Sequence, residues 1–578
     1  MTRRDVSRLL PGLARLRRYE GSWLRYDVFA GVTVAAYLIP QVMAYAEVAG
    51  LPAVVGLWAI VGPLLVYAAL GSSRQLSVGP ESTTALMTAA AIGSIAAGDP
   101  DRYAALAAAL CFVVGVLCLL GWIGRLGFLA DLLSRPVLVG YMAGIAGIMV
   151  SSQLGKVTGV GVDADSFVTE VWFVARHLDE THGPTLTLAA GVLVLLLVGG
   201  RLLPRSPMPL VAMLLAAATV VVFELEARGI AVVGDIPAGL PTPSLPSVSL
   251  SDLELLLLPA VGVAIVAYSD NVLTGRTFAA RNGYDIDSNQ EFLALGAANL
   301  ASGVMQGFPV SSSGSRTVIG DALGSRSQLY SLVALATVVI SIIFFRPVLA
   351  AFPAAALGAL VIYAATRLIE VPELRRIARF RRSELFLAAA TTVAVLALGV
   401  LYGVLAAVAL SILDLLRKVA RPHDGILGFV PSLAGMHDVD DYPDAKPVEG
   451  LVVYRYDSPL LFANVEDFKR RALAALDSDG SRTQWFVLNT EANVQPDITA
   501  MDALEELRQE LHRRGVVFAM ARVKQDLHDD LQTYGFIDRV GADRIFLTLP
   551  TAVQAYVSWY VEQHGVPPDG APPAPQHS

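Results

Sequence analysis

The chain has 578 residues, of which 54% are hydrophobic and only 16% charged, and it carries a net charge of −8. That balance lies far outside the range of soluble proteins, leaves room for more than one domain and excludes a wholly water-soluble fold. Nothing in it points to nucleic acid.

The N-terminal arm, 1–27, holds Arg3, Arg4, Arg8, Arg15, Arg17, Arg18 and Arg25. It lacks a small-residue cleavage site after an apolar core, so it reads as a retained cytoplasmic arm and not a signal peptide. The transmembrane part, 28–420, divides into about fourteen apolar windows. The first seven lie near 28–48, 52–70, 80–96, 103–123, 136–154, 185–200 and 208–226. The second seven lie near 255–275, 291–305, 311–323, 328–346, 353–369, 383–399 and 402–418.

With the first window entering from inside, Arg74, Arg125 with Arg135, Arg201 with Arg205, Arg276 with Arg281 and the run Arg375 to Arg382 all fall on one side. Arg346 is the exception. By the positive-inside rule both ends are cytoplasmic, in a cell membrane. On the outer side, 155–184 is acidic and has room for a short amphipathic helix with Phe167, Val171, Val174 and Leu178 on one face, and 229–251 is rich in Pro and Gly. Cys111 and Cys118 share one apolar window and read as buried spectators.

The third and tenth windows are short and open on polar, Pro-containing stretches, Ser77-Val-Gly-Pro-Glu81 and Gly307-Phe-Pro-Val-Ser-Ser-Ser-Gly-Ser-Arg316. Broken backbone at membrane depth is viable only where protein or a wet cavity covers it. They occupy equivalent places in two halves of seven windows, so the second half enters from the opposite face and the two half-helices meet N-terminus to N-terminus. Free N–H groups there, with the hydroxyls of Ser313 and Ser315 and the guanidinium of Arg316, suit an anion. Carboxylates within spans are costly, by about 2.5 kcal/mol or more, which marks Glu81 and Asp270 as functional. The plain alternative is a salt bridge from either one to Arg316. Gln41, after Pro40, has a plain reading as an amide that satisfies a kink, and Glu47, near the outer end of its window, reads as solvated.

Beyond Arg421 the character changes. A linker, 421–448, leads into a soluble α/β domain, 449–566, with strands at 451–456, 485–489 and 516–520. Helices are expected at 464–477, 499–514, 524–534 and 550–564, the second with a stripe of Met501, Leu504, Leu507 and Leu511. The tail, 567–578, is proline-rich and expected to be disordered.

The chain resembles the SulP family of anion permeases, bacterial counterparts of the animal solute-carrier anion exchangers and plant sulfate transporters. The resemblance rests on Ala35-Ala-Tyr-Leu-Ile-Pro-Gln-Val-Met-Ala-Tyr45, Leu70-Gly-Ser-Ser-Arg-Gln-Leu-Ser-Val-Gly-Pro80, Gly275-Arg-Thr-Phe278 and Ser311-Ser-Ser-Gly-Ser-Arg316. The C-terminal domain, with Asp497-Ile-Thr-Ala-Met-Asp-Ala-Leu504, resembles the STAS domain this family carries. The resemblance implies core and gate domains built as inverted repeats of seven plus seven segments, elevator-like motion and a homodimer. It places Gln41, Tyr45, Glu81, Ser313, Ser315 and Arg316 around the substrate. Asp270, with Thr274 one turn on, falls where relatives couple to a proton or to sodium. Thr499 sits where STAS regulators carry a phosphorylatable hydroxyl, although a helix N-cap would look the same.

Charge counting favours proton-coupled sulfate uptake. Two half-helix ends and Arg316 offset a dianion, ionised Glu81 and Asp270 would cancel that, and protonation restores it. A sodium ion at Asp270 and Thr274 would instead favour a monoanion such as bicarbonate, and chloride, dicarboxylates or anion exchange stay open. Other classes are a membrane anion sensor with the STAS domain as output and a cytoplasmic protein as that domain's partner, and a nucleobase permease, for which Arg316 has no purpose. No cofactor is expected. An enzyme is disfavoured, because no P-loop, zinc-spaced His set or nucleophile motif is present.

Overall fold

The computed structural model describes residues 9–96, 98–128, 134–162, 166–203, 206–431, 433–478 and 483–571. Arg3, Arg4, Arg8 and Arg205, and positions 572–578 of the tail, lie outside the described residues. The chain divides into two compact units between Ser411 and Ile412.

Helical structure occupies all fourteen predicted windows, the last of which runs past Ser411. Among the described residues eight helices are long and apolar enough to cross a membrane, and Ser82–Ala96, Met208–Val222 and Leu329–Phe344 are shorter apolar helices. Several bounds differ from expectation for local reasons. The second window breaks at Ile60 into Ala53–Ala59 and Val61–Leu70. The eighth runs further, as Leu250–Arg281, because Ser249 and Asp252 form a capping box that starts it early. The last two windows are one stretch, Arg382–Ala420, broken at Gly399, whose φ of 80° leaves the helical region.

Close packing depends on small residues. A Cβ on Gly56 would lie 1.8 Å from the Val42 carbonyl oxygen, and one on Gly140 would lie 2.1 Å from that of Ala388. These glycines let helix backbones touch, which replaces the hydrophobic drive that lipid does not supply. Large apolar side chains such as Leu65, Leu120 and Phe344 remain exposed on the outside, as suits a hydrocarbon surround.

The expected outer helix forms as Phe167–Arg176, capped by Ser166. Its predicted face is only partly used, for Val174 is buried while Val171 and Leu178 are exposed. Leu178 falls in the 3-10 turn beyond the helix, where the periodicity no longer applies. Glu47 is not simply solvated, since Lys156 Nζ sits 2.8 Å from its carboxylate. Cys111 and Cys118 are free and buried.

The second unit holds a six-stranded sheet of order β4-β3-β5-β6-β7-β8. Here β3 is Asp424–Phe429, β4 Met436–Asp438, β5 Leu451–Tyr456, β6 Trp485–Asn489, β7 Val517–Ala521 and β8 Ile545–Phe546. Neighbours from β5 to β8 are parallel, whereas β3 is antiparallel to both β4 and β5. The stretch read as a linker, 421–448, therefore supplies two strands, which Gly425 and Gly428 had disguised. Along β5, Val452, Tyr454 and Tyr456 face one core and Leu451 and Val453 the other. The four expected helices form at Val465–Ser478, Ile498–Arg513, Gln525–Thr533 and Leu549–His564. Met501, Leu504, Leu507 and Leu511 are buried as a stripe. The start of the tail is held, not loose: the Glu449 N–H donates to the Asp569 carbonyl at 2.9 Å.

Candidate functional site

Two short strands organise the site. β1, Val78–Gly79, pairs antiparallel with β2, Ser311–Ser312, with Val78 opposite Ser312 and Gly79 opposite Ser311. The first half-helix, Ser82–Ala96, begins three residues after β1, and the second, Gly314–Ala322, begins two after β2. Because the strands run antiparallel, the helices leave the crossing in opposite senses and their N-termini converge there.

The broken backbone is fully partnered at its critical points. Asn299 clasps Val310 twice, accepting from its N–H at 3.0 Å and donating Nδ2 to its carbonyl at 3.1 Å. Ser302 Oγ donates to the Phe308 carbonyl at 2.9 Å. The Ser313 N–H donates to the Ser77 carbonyl at 2.8 Å. Thr317 Oγ1 accepts from the Ser77 N–H at 3.0 Å and donates to the Ser313 carbonyl at 2.7 Å. Irregular chain at membrane depth survives on such bonds.

Arg316 is fully buried in the first turn of the second half-helix. Nε donates to Ser77 Oγ at 3.2 Å and Nη1 to the Pro80 carbonyl at 3.0 Å, so the guanidinium of one half-helix braces the entry to the other. Nη2 is buried without a protein partner. Gly79 is required beside it, since a Cβ there would lie 3.4 Å from Nη2 and 1.9 Å from Ile60 Cδ1. Among the described residues Arg316 forms no ion pair, so the salt-bridge reading of Glu81 or Asp270 fails. Glu81 accepts from Ser82 Oγ at 3.1 Å through one oxygen, and its Oε2 is buried without a partner.

Tyr45 is buried, with Ser82 beside its hydroxyl and Glu81 and Arg316 within electrostatic reach. Gln41 lies one turn before it on the same face, and its Oε1 is buried and unpartnered, so the kink does not satisfy that oxygen. Ser313 is the N-cap residue of its helix but caps nothing; its Oγ lies 3.2 Å from that of Ser315, which is exposed. Asp270 Oδ2 accepts from Ser312 Oγ at 3.1 Å, and the carboxylate lies within electrostatic reach of Glu81. Thr274 lies one turn along the same helix and is half-buried.

The structure thus gathers Tyr45, Glu81, Asp270, Ser313, Ser315 and Arg316 about one crossing, with Gln41 on the Tyr45 face. Sequence reasoning missed Ser77, Ser312, Asn299 and Thr317, although Ser312 lies inside the serine run that drew attention. It also passed over two fully buried carboxylates. Glu291 accepts from Ser72 N–H at 2.9 Å, Ser72 Oγ at 2.6 Å, Tyr67 OH at 2.9 Å and Asn271 Nδ2 at 2.6 Å. Asp27 accepts from the Arg326 N–H at 2.7 Å and Ser327 Oγ at 2.7 Å. Both are saturated braces, which separates them from Glu81 with its free oxygen. In the second unit Thr499 is exposed on the first turn of Ile498–Arg513, and the cap is Asp497, which accepts from the Ala500 N–H at 2.9 Å.

Comparison with known proteins agrees with this architecture. Residues 24–391 match the model of the sulfate permease family and residues 442–552 that of the STAS domain. A probable sulfate transporter of Mycobacterium tuberculosis is 62% identical over 546 residues, covering 94% of this chain and 98% of the relative. The chloroplastic sulfate transporter 4.1 of Arabidopsis thaliana is 30% identical over 96% of this chain and 83% of its own length. The fold also matches the murine solute carrier 26 member A9 anion transporter in its inward-facing state, with a TM-score of 0.88 and 24% identity over 96% of this chain and 95% of that one. Family match, sequence relatives and fold coincide along nearly the whole chain: it belongs to the sulfate permease family and carries a C-terminal STAS domain.

Proposed function

We propose that the chain is a secondary transporter that takes up sulfate with protons across the cell membrane, working as a homodimer with both termini in the cytoplasm. The observation that carries this reading is Arg316: a fully buried guanidinium that makes no ion pair among the described residues, although Glu81 lies within electrostatic reach, and whose Nη2 is left for a ligand at the meeting of two half-helix N-termini. A cation so placed is costly unless an anion completes it. The names of the mycobacterial and plant relatives support sulfate as that anion.

In this reading the sulfate oxygens take Arg316 Nη2, the free N–H groups of the half-helices, and the hydroxyls of Ser313, Ser315 and Tyr45. Gln41 orients its amide towards the same space. Glu81 and Asp270 are like charges sharing one field, and two ionised carboxylates would repel a dianion. Neutralising them by protonation admits it, so proton and sulfate enter together. The crossing of β1 and β2 ties both half-helices into one block, which suits an elevator-type movement of that block with its anion.

Sulfate uptake into proteoliposomes under imposed proton or sodium gradients tests this, with Asp270→Asn and Arg316→Ala beside the wild type. Proton-driven uptake lost in both variants is the expected result. Uptake that needs sodium and ignores pH would overturn proton coupling and assign Asp270 and Thr274 to sodium. No sulfate uptake by folded protein would move the substrate to bicarbonate or another anion.

A further inference from the structure

Away from the crossing, four arginines surround a second cleft. Its volume is about 360 Å³, and Arg15, Arg18, Arg74 and Arg326 line it with Trp23 and Ser327. They come from three separate stretches: the N-terminal segment around the helix Pro11–Leu16, the chain leading into β1, and the turn after the second half-helix. No carboxylate is among the described residues lining the cleft, and none of the four guanidiniums makes an ion pair among the described residues. Arg74 Nε is buried without a hydrogen-bond partner, while its guanidinium stacks over the Tyr284 ring at 4.7 Å. Arg15 spends one N–H on the Ser72 carbonyl. Burial, with the Arg74 charge second, holds the Arg15 guanidinium below its ordinary value. The nearby carboxylates are already engaged: Asp27 accepts from the Arg326 and Ser327 N–H groups, Ser327 Oγ and Tyr19 OH, and Glu291, within electrostatic reach of Arg15, from Ser72, Tyr67 and Asn271.

Four cations converging with no ion-pair partner among the described residues exceed what one dianion balances. A guanidinium is a planar donor suited to phosphate, and clusters of them near a membrane face recognise phosphorylated headgroups. We propose that this cleft binds a diphosphate-class polyanion, supplied either by the paired phosphates of a cardiolipin headgroup or by a soluble diphosphate. Such a ligand would pin the N-terminal segment to the chain entering β1 and to the turn leaving the second half-helix. The same stretches hold the crossing in place, through Ser72 to Glu291 and through Ser77 to Arg316. Occupancy would therefore bear on how freely the crossing moves. The site stands independently of which anion is transported.

The test uses the full chain. Inorganic pyrophosphate is titrated into detergent-purified protein, and the thermal stability of protein in neutral-lipid nanodiscs is compared with and without cardiolipin. Arg18→Gln and Arg326→Gln, both at exposed positions, are combined in one variant checked by its unchanged elution on gel filtration. Pyrophosphate binding that weakens about 10- to 30-fold in the variant supports a soluble ligand. A cardiolipin-dependent stabilisation lost in the variant, without pyrophosphate binding, supports the lipid. Neither response in the wild type, or responses the variant leaves unchanged, would overturn the proposal. So would sulfate binding there as tightly as pyrophosphate, which would make the cleft part of the transport route.

Discussion

Ser312 Oγ donates to Asp270 Oδ2 at 3.1 Å while the Ser312 backbone is paired with Val78 across the antiparallel crossing. One residue therefore joins the carboxylate of the Leu250–Arg281 span to the strand that positions the anion site. Ser312→Ala removes that donor and with it the side-chain tie between the span and the strand. The pH dependence of sulfate uptake is expected to change in this variant. An unmoved profile would separate Asp270 from coupling.

Arg316→Lys is expected to fail almost as fully as Arg316→Ala. An ammonium is a compact charge that cannot address Ser77, Pro80 and a ligand together from one plane. Loss of a charge-assisted contact is worth about 1.5–3 kcal/mol, or roughly 10- to 150-fold in sulfate affinity. Uptake kinetics on protein with unchanged thermal stability check this.

Asn299→Leu should act on stability. It leaves both the N–H and the carbonyl of Val310 unpartnered in a buried setting, at about 1–3 kcal/mol for each group. A clear fall in the midpoint of thermal unfolding in detergent is expected, whereas an unchanged midpoint would show that water replaces the amide.

Gly56→Ala probes the close approach of helices. Its Cβ would meet the Val42 carbonyl oxygen at 1.8 Å, so backbone must move, at about 1–3 kcal/mol. Because Val42 lies between Gln41 and Tyr45, sulfate affinity should fall along with thermal stability.

In the STAS domain, Glu505 accepts from Arg508 Nε at 2.9 Å and Nη2 at 2.8 Å, and these bonds hold its carboxyl below the ordinary carboxylate range. Its folded value being depressed, its contribution is present above the unfolded value of about 4.3 and fades as pH falls through the folded one. Glu505→Gln should destabilise the chain near neutrality and lose that penalty in acid. Thermal unfolding followed from pH 7 down to 3 reads the difference.

Much of this architecture was legible because its signals are local. Apolar length marks a span, and Pro beside Ser in the middle of such length marks a break, so the half-helices and Arg316 stood out. The STAS strands β5 to β7 were visible as apolar runs bounded by turns. What escaped depended on partners distant in sequence. Ser77 looks like any loop serine until Arg316 reaches it, and Asn299 like any helix amide until Val310 arrives. Glu291 carries the same intramembrane signal as Glu81, and only its four donors show that it is a brace. β3 and β4 were hidden by glycines and charged residues, since strands answer to their neighbours more than to their own pattern.

The central claim is that Arg316 holds the anion, and equilibrium binding of radiolabelled sulfate to purified protein tests it most directly. Saturable binding by the wild type that strengthens as pH falls, and is lost in Arg316→Ala, is the predicted result. Undiminished binding by Arg316→Ala would contradict it.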